Sequence, residues 1–451
     1  MLPNKLFTDF RNAKYVVISI VLVTNAFVWY YFAIDLLKSI VGSMQISQSL
    51  TVLIWVLHFG GIAVSALIGA SIVKRNKDRS SFMLFWLVFG TIVSFIPIFL
   101  SLKEISNILL LSPLLGVSLG LGMPCCMGWF SENVGVEKRG RISGITFLLS
   151  VLIMVVLGIV VDGDIGLQTI TLSLLRLFGL ALFLAFFLTS PQKQKLNENQ
   201  AITYKSLLNN KQFLLYLIPW TLFSLITYLT VPLQNNIIQS MQANSINVLS
   251  AQSLQGIENI FLAFFAVIGG FLADIVGRKR MSIIGFALLG LGYSFLGIYP
   301  YNPLSWYFYT VVDGVALGIL FVIFIMTIWA DISHGSPSEK YYAVGVLPFF
   351  ISYLLTLTVA NEIVKTIPAN SIFSFTAIFL FLAVLPLVYA PETLPEKTMN
   401  DRDLKNYAEK ALKQAKKEGS KKKTKNADDT VVEGKENEGD ASSPGMMKLV
   451  S

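Results

Sequence analysis

Twelve long apolar runs constrain this chain more than any other feature of its sequence. They lie near 15–37, 50–73, 81–102, 105–130, 142–161, 166–189, 212–233, 251–275, 281–299, 304–330, 341–364 and 371–390. Each is long enough to cross a hydrocarbon layer of about 30 Å, which takes about 20 residues of helix. Helices satisfy their own backbone hydrogen bonds in lipid, whereas a membrane barrel would show alternating strands of about ten residues. The runs therefore predict an all-α polytopic membrane protein with twelve transmembrane helices.

The composition of the chain, its few cysteine and histidine residues and the motifs it lacks exclude several classes of protein. Apolar residues make up 54% of the chain and charged residues 14%, against roughly 25% charged in an ordinary soluble domain. Cys125 and Cys126 are adjacent in an apolar run, and His58 and His334 lie far from them, so we predict no disulfide framework, metal or cofactor. The sequence has no P-loop and no Gly-x-Ser-x-Gly motif, so we expect neither an enzyme nor an ATP-driven pump. Most of its Lys and Arg residues lie in short loops and a tail, which excludes a nucleic-acid partner.

The distribution of Lys and Arg between the loops predicts the orientation. Eighteen basic residues fall on one side of the runs, and only Lys38, Lys103 and Lys365 fall on the other. The positive-inside rule places the basic side in the cytoplasm, together with both termini. The polar, basic N-terminus leads directly into the first run, which predicts a retained span and no cleaved signal peptide. We expect a multi-pass protein of the plasma membrane.

Two polar segments divide the chain. Residues 190–211 are rich in Gln, Asn and Lys, and they predict a cytoplasmic linker between six-helix bundles at 1–189 and 212–390. Residues 391–451 predict a cytoplasmic tail that is largely disordered, because it contains few apolar residues to bury. The lysines of the tail either contact anionic lipid or are simply solvated.

An internal repeat relates the two halves. The segment 116–120, Gly-Val-Ser-Leu-Gly, recurs as Gly-Val-Ala-Leu-Gly at 314–318, and Trp129 recurs as Trp329. These offsets of 198 and 200 residues match the length of six helices. Such repeats are typical of transporters in which two bundles rock about a central site.

The most specific motif follows run eight and spans residues 270–280. Gly277 permits a tight turn, and the basic trio behind it anchors the loop at the cytoplasmic face. Asp274 lies at the end of the helix, where an acid is costly unless it is paired. The functional positions of this motif are Gly270, Asp274, Gly277, Arg278, Lys279 and Arg280.

This motif resembles the signature loop of the major facilitator superfamily, Gly-x-x-x-Asp-Arg/Lys-x-Gly-Arg/Lys-Arg/Lys, and departs from it only at Ile275. A degraded copy runs over 69–79, where Val73 replaces the Asp and Asn76 replaces the Gly. The loop at 137–141 is similar to the superfamily's Arg-Gly loop. The resemblance covers residues 12 to about 395 and implies two pseudo-symmetric six-helix bundles, the major facilitator fold.

Two further segments resemble subgroups of the superfamily. Pro391-Glu392-Thr393 is similar to the end of many of its sugar transporters. Residues 25–32 resemble a motif of metabolite–proton symporters, although Val28 and Tyr31 replace both carboxylates of that motif. The subgroup resemblance is therefore weak.

The superfamily resemblance implies that helices 1, 4, 7 and 10 line a central cavity. Polar and aromatic side chains of three of these helices are the candidate substrate-binding or coupling residues, and packing or backbone hydrogen bonding is the alternative role of each. They are Asn25, Trp29 and Tyr30 in helix 1, Trp220, Thr221, Ser224, Thr227 and Tyr228 in helix 7, and Asp313 in helix 10. None of the four helices has an interior Arg or Lys, so a strongly anionic solute would have no counter-charge.

Asp313 is the most informative single residue. It lies about nine residues, or ~13 Å, into the tenth run, close to the midplane of a ~30 Å core. An ionised carboxylate is expensive there, so we expect Asp313 to bind protons or to meet a cation. A structural pair or a permanently neutral acid is the alternative.

Two gates are predicted at the ends of the bundles. On the cytoplasmic side the signature motif would act with Arg139 and Gly140, and we expect Asp274 to engage Arg139 or the first N–H groups of helix 5. On the extracellular side His58 and Glu258, which are related by the repeat, either form a gate or act independently.

For Arg176 in helix 6 we expect a structural ion pair.

These features predict a secondary active transporter that moves a small organic solute by alternating access, first of all by symport with protons. A proton-driven exporter of apolar compounds and a non-transporting membrane sensor are the alternatives. The expected partners are the solute, protons and membrane lipid, and we expect a monomer.

Overall fold

The protein is described by a computed structural model over residues 2–76, 79–161, 163–189, 202–334, 336–360, 362, 367–394 and 404. Most of the predicted linker, 190–201, and nearly all of the predicted tail lie outside these described residues. Within them the secondary structure is helical and contains no strand.

The first half of the chain forms seven α-helices and one short 3₁₀ turn. Their bounds are Leu2–Ser43, Gln48–Asn76, Arg79–Phe99, Ile105–Gly120, Met123–Asn133, Val136–Lys138 (3₁₀), Arg139–Val161 and Ile165–Thr189. A five-residue helix, Tyr204–Leu208, then precedes the second half.

The second half is helical in the same way, with one π-helical segment. Its helices are Lys211–Ala243, Ala251–Val276, Arg278–Ile298, Pro303–Phe321, Val322–Thr327 (π), Ile328–Ile332, Glu339–Gly345, Leu347–Thr358, Ala369–Leu382 and Val384–Tyr389.

Twelve segments of the described chain are long and apolar enough to cross a membrane, as predicted. We number them spans 1 to 12: Ala13–Ser43, Gln48–Val73, Arg79–Phe99, Ile105–Asn133, Val136–Val161, Ile165–Thr189, Lys211–Ala243, Ala251–Val276, Arg278–Ile298, Pro303–Ile332, Glu339–Thr358 and Ala369–Tyr389. The largest difference is in span 7, predicted to end at 233. It continues to Ala243 because the polar sequence there still buries Ile237, Ile238 and Met241.

Glycine and proline explain where two spans are broken. Span 4 is interrupted at Leu121 and Gly122, and Pro124 stands in the first turn of the helix that follows. Span 11 is interrupted at Val346, and Pro348 follows in the same way. Proline lacks an N–H group, so it interrupts a helix interior but suits a first turn.

The predicted repeat appears as equivalent close contacts between helices. In the first half Gly116 of span 4 packs against the backbone carbonyl of His58 in span 2. In the second half Gly314 of span 10 packs against the carbonyl of Glu258 in span 8. A side chain at either glycine would collide with that carbonyl, so the small residues set the spacing of both helix pairs.

Spans 5 and 8 bring the two halves into direct contact. Gly140 and Gly144 of span 5 lie against Gly270 and Ala266 of span 8, and a Cβ atom at Gly140 or Gly270 would strike the carbonyl oxygen of the other. This close approach places the signature motif beside the start of span 5.

Candidate functional site

A buried charged cluster joins the ends of spans 5, 8, 9 and 10. We call it the Asp274–Asp331 cluster; it comprises Arg139, Gly140, Arg141, Asp274, Arg278 and Asp331. Its first carboxylate, Asp274, is fully buried and accepts hydrogen bonds from the backbone N–H groups of Gly140 at 2.8 Å and Arg141 at 2.9 Å. It also pairs with the side chains of Arg141, at 3.1 Å, and Arg278, at 2.8 Å. The first N–H groups of a helix have no partner within it, and they favour a negative charge.

Asp331, at the end of span 10, is the second carboxylate of the cluster. It pairs with Arg139 and, at 3.0 Å, with Nε of Arg278. Of the two partners predicted for Asp274, the backbone N–H groups of helix 5 are therefore in contact with it, whereas the Arg139 side chain pairs with Asp331. Sequence reasoning missed Asp331.

A related set of ion pairs lies at the starts of spans 3 and 11. Arg79, which is 1% exposed, pairs with Glu132 of span 4 and with Glu339 of span 11. Arg79 and Glu132 precede Arg278 and Asp331 by the same 199 residues, so the pair within each half is repeated. The repeat offset of about 200 residues, applied to charged residues as well as to glycines, is the sequence signal that would have identified Asp331.

The turn of the signature motif is fixed by Glu392. Gly277 has a φ of 111°, which favours glycine. The Glu392 carboxylate accepts hydrogen bonds from the N–H groups of Arg278 at 2.8 Å and Lys279 at 3.1 Å, at the start of span 9. The Lys279 side chain donates to the carbonyl of Val388, and Arg280 is exposed. Glu392 of the Pro-Glu-Thr segment thus caps the helix that begins at Arg278, within the motif.

Asp313 lies in a second polar region, inside the helices of the second half. It is 4% exposed, and its Oδ1 atom has no hydrogen-bond partner among the described residues. Tyr309, one turn earlier, is within hydrogen-bonding range of the carboxyl group. Glu258 of span 8 is close enough to interact with Asp313 electrostatically.

Hydroxyl and amide groups from two further spans extend this region. Tyr309 donates to the Tyr293 hydroxyl at 3.1 Å, and Tyr293 shares a hydrogen bond of 2.8 Å with Thr230. The Gln234 amide nitrogen lies 3.0 Å from the Tyr309 hydroxyl and 3.2 Å from that of Tyr293. We call these residues, with Glu258 and Asp313, the Asp313 network. Spans 7, 8, 9 and 10 all contribute to it.

The predicted residues of span 7 lie beside an aromatic stack. Trp220 is fully buried and stacks on Phe324 of span 10, with ring centroids 5.1 Å apart. Ser224 and Thr227 are buried, and their hydroxyl groups have no partner among the described residues. Thr221 donates to the carbonyl of Leu217, which is the alternative role considered for it. The Tyr228 side chain lies outside the described part of the chain.

The predicted residues of span 1 face two directions. Asn25 donates to the carbonyl of Leu175 in span 6 at 2.7 Å, and Trp29 donates to Ser94 of span 3 at 2.8 Å. These two side chains therefore pack within the first half. Tyr30 instead stacks on His58, at 6.1 Å, and meets the edge of Phe350 in span 11.

The two residues of the predicted extracellular gate have different surroundings. His58 is fully buried, and its Nδ1 atom lies 3.0 Å from the carbonyl of Ser112. Glu258, its equivalent in the repeat, belongs to the Asp313 network. The structure thus associates Glu258 with the predicted coupling residue and His58 with Tyr30.

Comparison with known proteins agrees with the resemblance in the signature loop. The family model of the Major Facilitator Superfamily matches residues 228–420. No curated protein matches the sequence significantly. The chain is similar to the solved structure of XylE, a proton:xylose symporter of that superfamily bound to 6-bromo-6-deoxy-D-glucose. The TM-score is 0.60 at 15% identity, over 85% of this chain and 97% of that chain. This likeness confirms the predicted fold.

Proposed function

We propose that this chain is a member of the major facilitator superfamily and a proton-coupled symporter of a small organic solute. The twelve spans and the family make it a multi-pass membrane protein and a secondary transporter. The observation that carries the finer proposal is the position of Asp313, a buried acid inside span 10 whose Oδ1 atom has no partner in the described part of the chain.

Burial of Asp313 supports proton binding. An ionised carboxylate inside a membrane must be paired or neutralised, and the Asp313 network offers hydroxyl and amide groups but no cation among the described residues. Glu258 adds a second acid nearby, and two close carboxylates do not readily ionise together. We therefore expect the pair to hold a proton while the surrounding helices are closed around it.

The solute would bind beside span 7. Ser224 and Thr227 have buried hydroxyl groups that meet no partner in the described ranges, which would suit a solute that carries hydroxyl or amide groups. Trp220 would provide an apolar face next to them. Asn25 and Trp29 would act indirectly, by holding span 1 against spans 6 and 3. XylE, which has the same fold, is a proton:xylose symporter and makes a sugar a reasonable first probe.

The Asp274–Asp331 cluster would act as the cytoplasmic gate. Its contacts connect span 5 of the first half with spans 8 and 10 of the second half, so this end of the helices is closed while the contacts exist. Opening of that end would separate Asp274 from the start of span 5. Solute and proton would then be released together into the cytoplasm.

The coupling proposal is tested by transport in proteoliposomes. Uptake of labelled D-xylose and a panel of other small sugars and metabolites is measured with and without an imposed proton gradient. Asp313→Asn should abolish gradient-driven accumulation, because the amide cannot exchange a proton. It should retain solute-for-solute exchange, which requires no net proton transfer.

Glu104→Gln, at an exposed acid near the start of span 4, is the control and should accumulate solute as the wild type does. Accumulation by Asp313→Asn equal to that of the wild type would exclude Asp313 as the coupling site. Loss of exchange together with accumulation would assign Asp313 to solute binding.

The orientation is tested by labelling introduced cysteines in whole cells. Asn244, between spans 7 and 8, and Ser206, before span 7, are both exposed, and the two native cysteines are buried. A membrane-impermeant maleimide should react with Asn244→Cys and not with Ser206→Cys. The opposite pattern would place the termini outside the cell.

An exporter of apolar compounds is the second candidate, and the aromatic stack of Trp220, Phe223 and Phe324 is the observation that favours it. The same proteoliposomes distinguish the two functions when they are loaded with a fluorescent apolar amine. Proton-driven loss of the amine without sugar uptake would support export.

A further inference from the structure

Span 11 consists of two short helices that are joined by a break. Glu339–Gly345 lies at the same end as the Asp274–Asp331 cluster, and Leu347–Thr358 runs to the opposite end of the spans. Val346 forms a turn between them, and Pro348 stands in the first turn of the second helix. Proline has no N–H group to continue the hydrogen bonds of a helix, so the chain bends more easily here than inside a regular span. We call the two parts the inner and the outer helix of span 11.

The inner helix is joined to the first half by a buried ion pair. Glu339, which is 3% exposed, pairs with Arg79 of span 3. A Cβ atom at Gly128 of span 4 would lie 3.1 Å from the Glu339 carboxylate, so these two spans approach closely. Tyr342 of the inner helix donates a hydrogen bond to the carbonyl of Met326 in span 10. The inner helix therefore takes part in the closure of the end that carries the Asp274–Asp331 cluster.

The outer helix meets the first half through aromatic rings. Phe350 contacts Tyr30 of span 1 edge to face, with ring centroids 5.7 Å apart, and Tyr353 contacts Phe59 of span 2 in the same way at 5.7 Å. The ammonium group of Lys38, near the end of span 1, lies 5.0 Å from the centroid of the Tyr353 ring. These contacts join the two halves at the end opposite to the charged cluster.

The side chains that the outer helix contacts in span 1 are firmly held. Tyr30 stacks on His58, whose Nδ1 atom lies 3.0 Å from the carbonyl of Ser112 in span 4. The preceding residue, Trp29, lies with its ring centroid 4.1 Å from the guanidinium carbon of Arg176. This cation–π contact is what the structure shows where the sequence predicted an ion pair for Arg176. The first half thus offers a fixed surface, and the outer helix is the part that is free to bend.

The two closures differ in what it costs to separate them. A buried ion pair is costly to separate, because each charge is then left without its partner. Edge-to-face ring contacts are individually weaker, and they leave no unpaired charge when they part. The rings lie on one side of Val346 and Glu339 lies on the other. Bending at the break therefore separates the rings and leaves the ion pair in place.

We propose that the outer helix of span 11 is a lid over the end opposite to the Asp274–Asp331 cluster, with Phe350 and Tyr353 as its closing residues and residues 346–348 as its hinge. A hinge between the two closures allows the two ends to open in turn, as alternating access requires. The inference rests on the proposed transport by alternating access, but it requires neither proton coupling nor a particular solute. The proposed orientation makes this end the extracellular one.

Distances between spin labels test the lid without any transport measurement. Gln48, at the start of span 2, and Val359, just after the outer helix, are both exposed, and labelled cysteines at these positions report the end that the lid covers. Labels at Glu137 and Arg280, also exposed, report the other end. If Asp313→Asn accumulates solute as the wild type does while the lid opens as expected, proton coupling at Asp313 fails and the lid stands.

Removal of a closing ring should open one end only. Tyr353→Ala and Phe350→Ala should each increase the ratio of long to short Gln48–Val359 distances by about two- to tenfold, with no lengthening between Glu137 and Arg280. Tyr353→Phe keeps the ring and should match the wild type. Phe375→Ala, at an exposed phenylalanine of span 12, is the matched control and should also match it. Either alanine variant tests the lid if the other does not fold.

Replacement of the hinge proline should oppose this opening. In the Phe350→Ala background, Pro348→Ala lets span 11 continue as one helix, so the population at long Gln48–Val359 distance should shrink. Pro97→Ala, at a proline inside the unbroken helix of span 3, is the control and should leave that population unchanged. A distance distribution that neither ring substitution alters would overturn the lid. So would lengthening at both ends together, and an equal response to the two proline substitutions would overturn the hinge.

Discussion

The Asp274–Asp331 cluster and the charged groups inside the helices differ in how completely they are satisfied. Asp274 meets two backbone N–H groups and two arginine side chains, and Asp331 pairs with two arginines. Asp313 and Arg176 are buried to a similar degree, yet each retains polar atoms without a partner among the described residues. Buried charges that the chain satisfies itself hold helices together, whereas those that keep unpartnered atoms contribute less to holding them.

The position of each group along its helix explains the difference. Asp274 lies at the end of span 8, beside the start of span 5, where the first N–H groups of that helix are free to donate to a carboxylate. In the middle of a span the backbone N–H groups already donate within the helix, so no backbone donor is free for a carboxylate. Asp313 and Arg176 therefore depend on side chains, and each keeps polar atoms that no side chain of the described residues meets.

The largest expected effect on stability comes from replacing an aspartate by asparagine in each of the two regions, at Asp331 and at Asp313. Asp331→Asn leaves Arg139 and Arg278 buried without their shared negative charge, which should lower the free energy of unfolding by roughly 3–5 kcal/mol. Asp313→Asn removes no ion pair and should change it by less than about 1 kcal/mol. Denaturation in mixed micelles measures both variants. Equal losses would show that the two carboxylates play the same structural role.

Asp274→Asn should change the conformational equilibrium more than the stability. The amide keeps one acceptor for the N–H groups of span 5 but loses the charge that attracts Arg141 and Arg278. A loss of about 1.4 kcal/mol in the closed form would change the ratio of open to closed molecules tenfold.

Distances between spin labels at Glu137 and Arg280, both exposed, report the separation of this end of the two halves. We expect a larger population at long distance in Asp274→Asn. A distribution that the substitution does not alter would reject the role of Asp274 as a gate.

Gly277→Ala tests whether the turn beside the Asp274–Asp331 cluster tolerates a side chain. A residue with a side chain at a φ of 111° is strained, and its Cβ atom would strike the Glu392 carboxylate. The expected loss of stability is about 1–3 kcal/mol. Gly158→Ala in span 5 is the control, since a Cβ atom there has no neighbour within 4 Å. A similar Tm for both variants would contradict the constraint.

The sequence predicted the spans better than it predicted their rotation. Run length and apolar content located all twelve spans, because both are local properties of the chain. The rotation of each helix about its axis is not a local property. A helix surrounded by lipid and protein is apolar on every side, so its sequence has no polar face that would show which side points to the cavity. Asn25 and Trp29 were therefore expected at the cavity, and the structure turns them towards spans 6 and 3.

The candidate site shows the same limit. Asp313 was identified because a mid-span acid is conspicuous in the sequence. Its partner Tyr309 lies four residues earlier. Residues four apart lie on the same face of a helix, so the spacing alone indicates that these two side chains are neighbours. Tyr293 and Thr230 lie on other spans, and their approach to Asp313 depends on tertiary packing that no local pattern encodes.

The smallest expected effect concerns a neutral contact at the same end as the charged cluster. Tyr204, in the short helix before span 7, donates to the carbonyl of Leu67 in span 2 at 2.6 Å, and Ser71 lies 3.4 Å from its hydroxyl. Tyr204→Phe should lower the free energy of unfolding by about 0.5–1.5 kcal/mol. Tyr299→Phe, at an exposed tyrosine, is the matched control and should have no effect.

The pH dependence of this small effect follows from the surroundings of the hydroxyl. Burial raises the pKa of Tyr204, and the hydrogen bond from Ser71 opposes that rise. A group with a raised pKa stabilises the fold fully below its pKa in the unfolded chain, roughly 10, and this contribution is lost as the pH rises through the folded value. The stability difference between wild type and Tyr204→Phe should therefore be constant from about pH 7 to 9 and shrink above about pH 10. A difference that grows with pH would show that the ionised hydroxyl is the form stabilised in the folded protein.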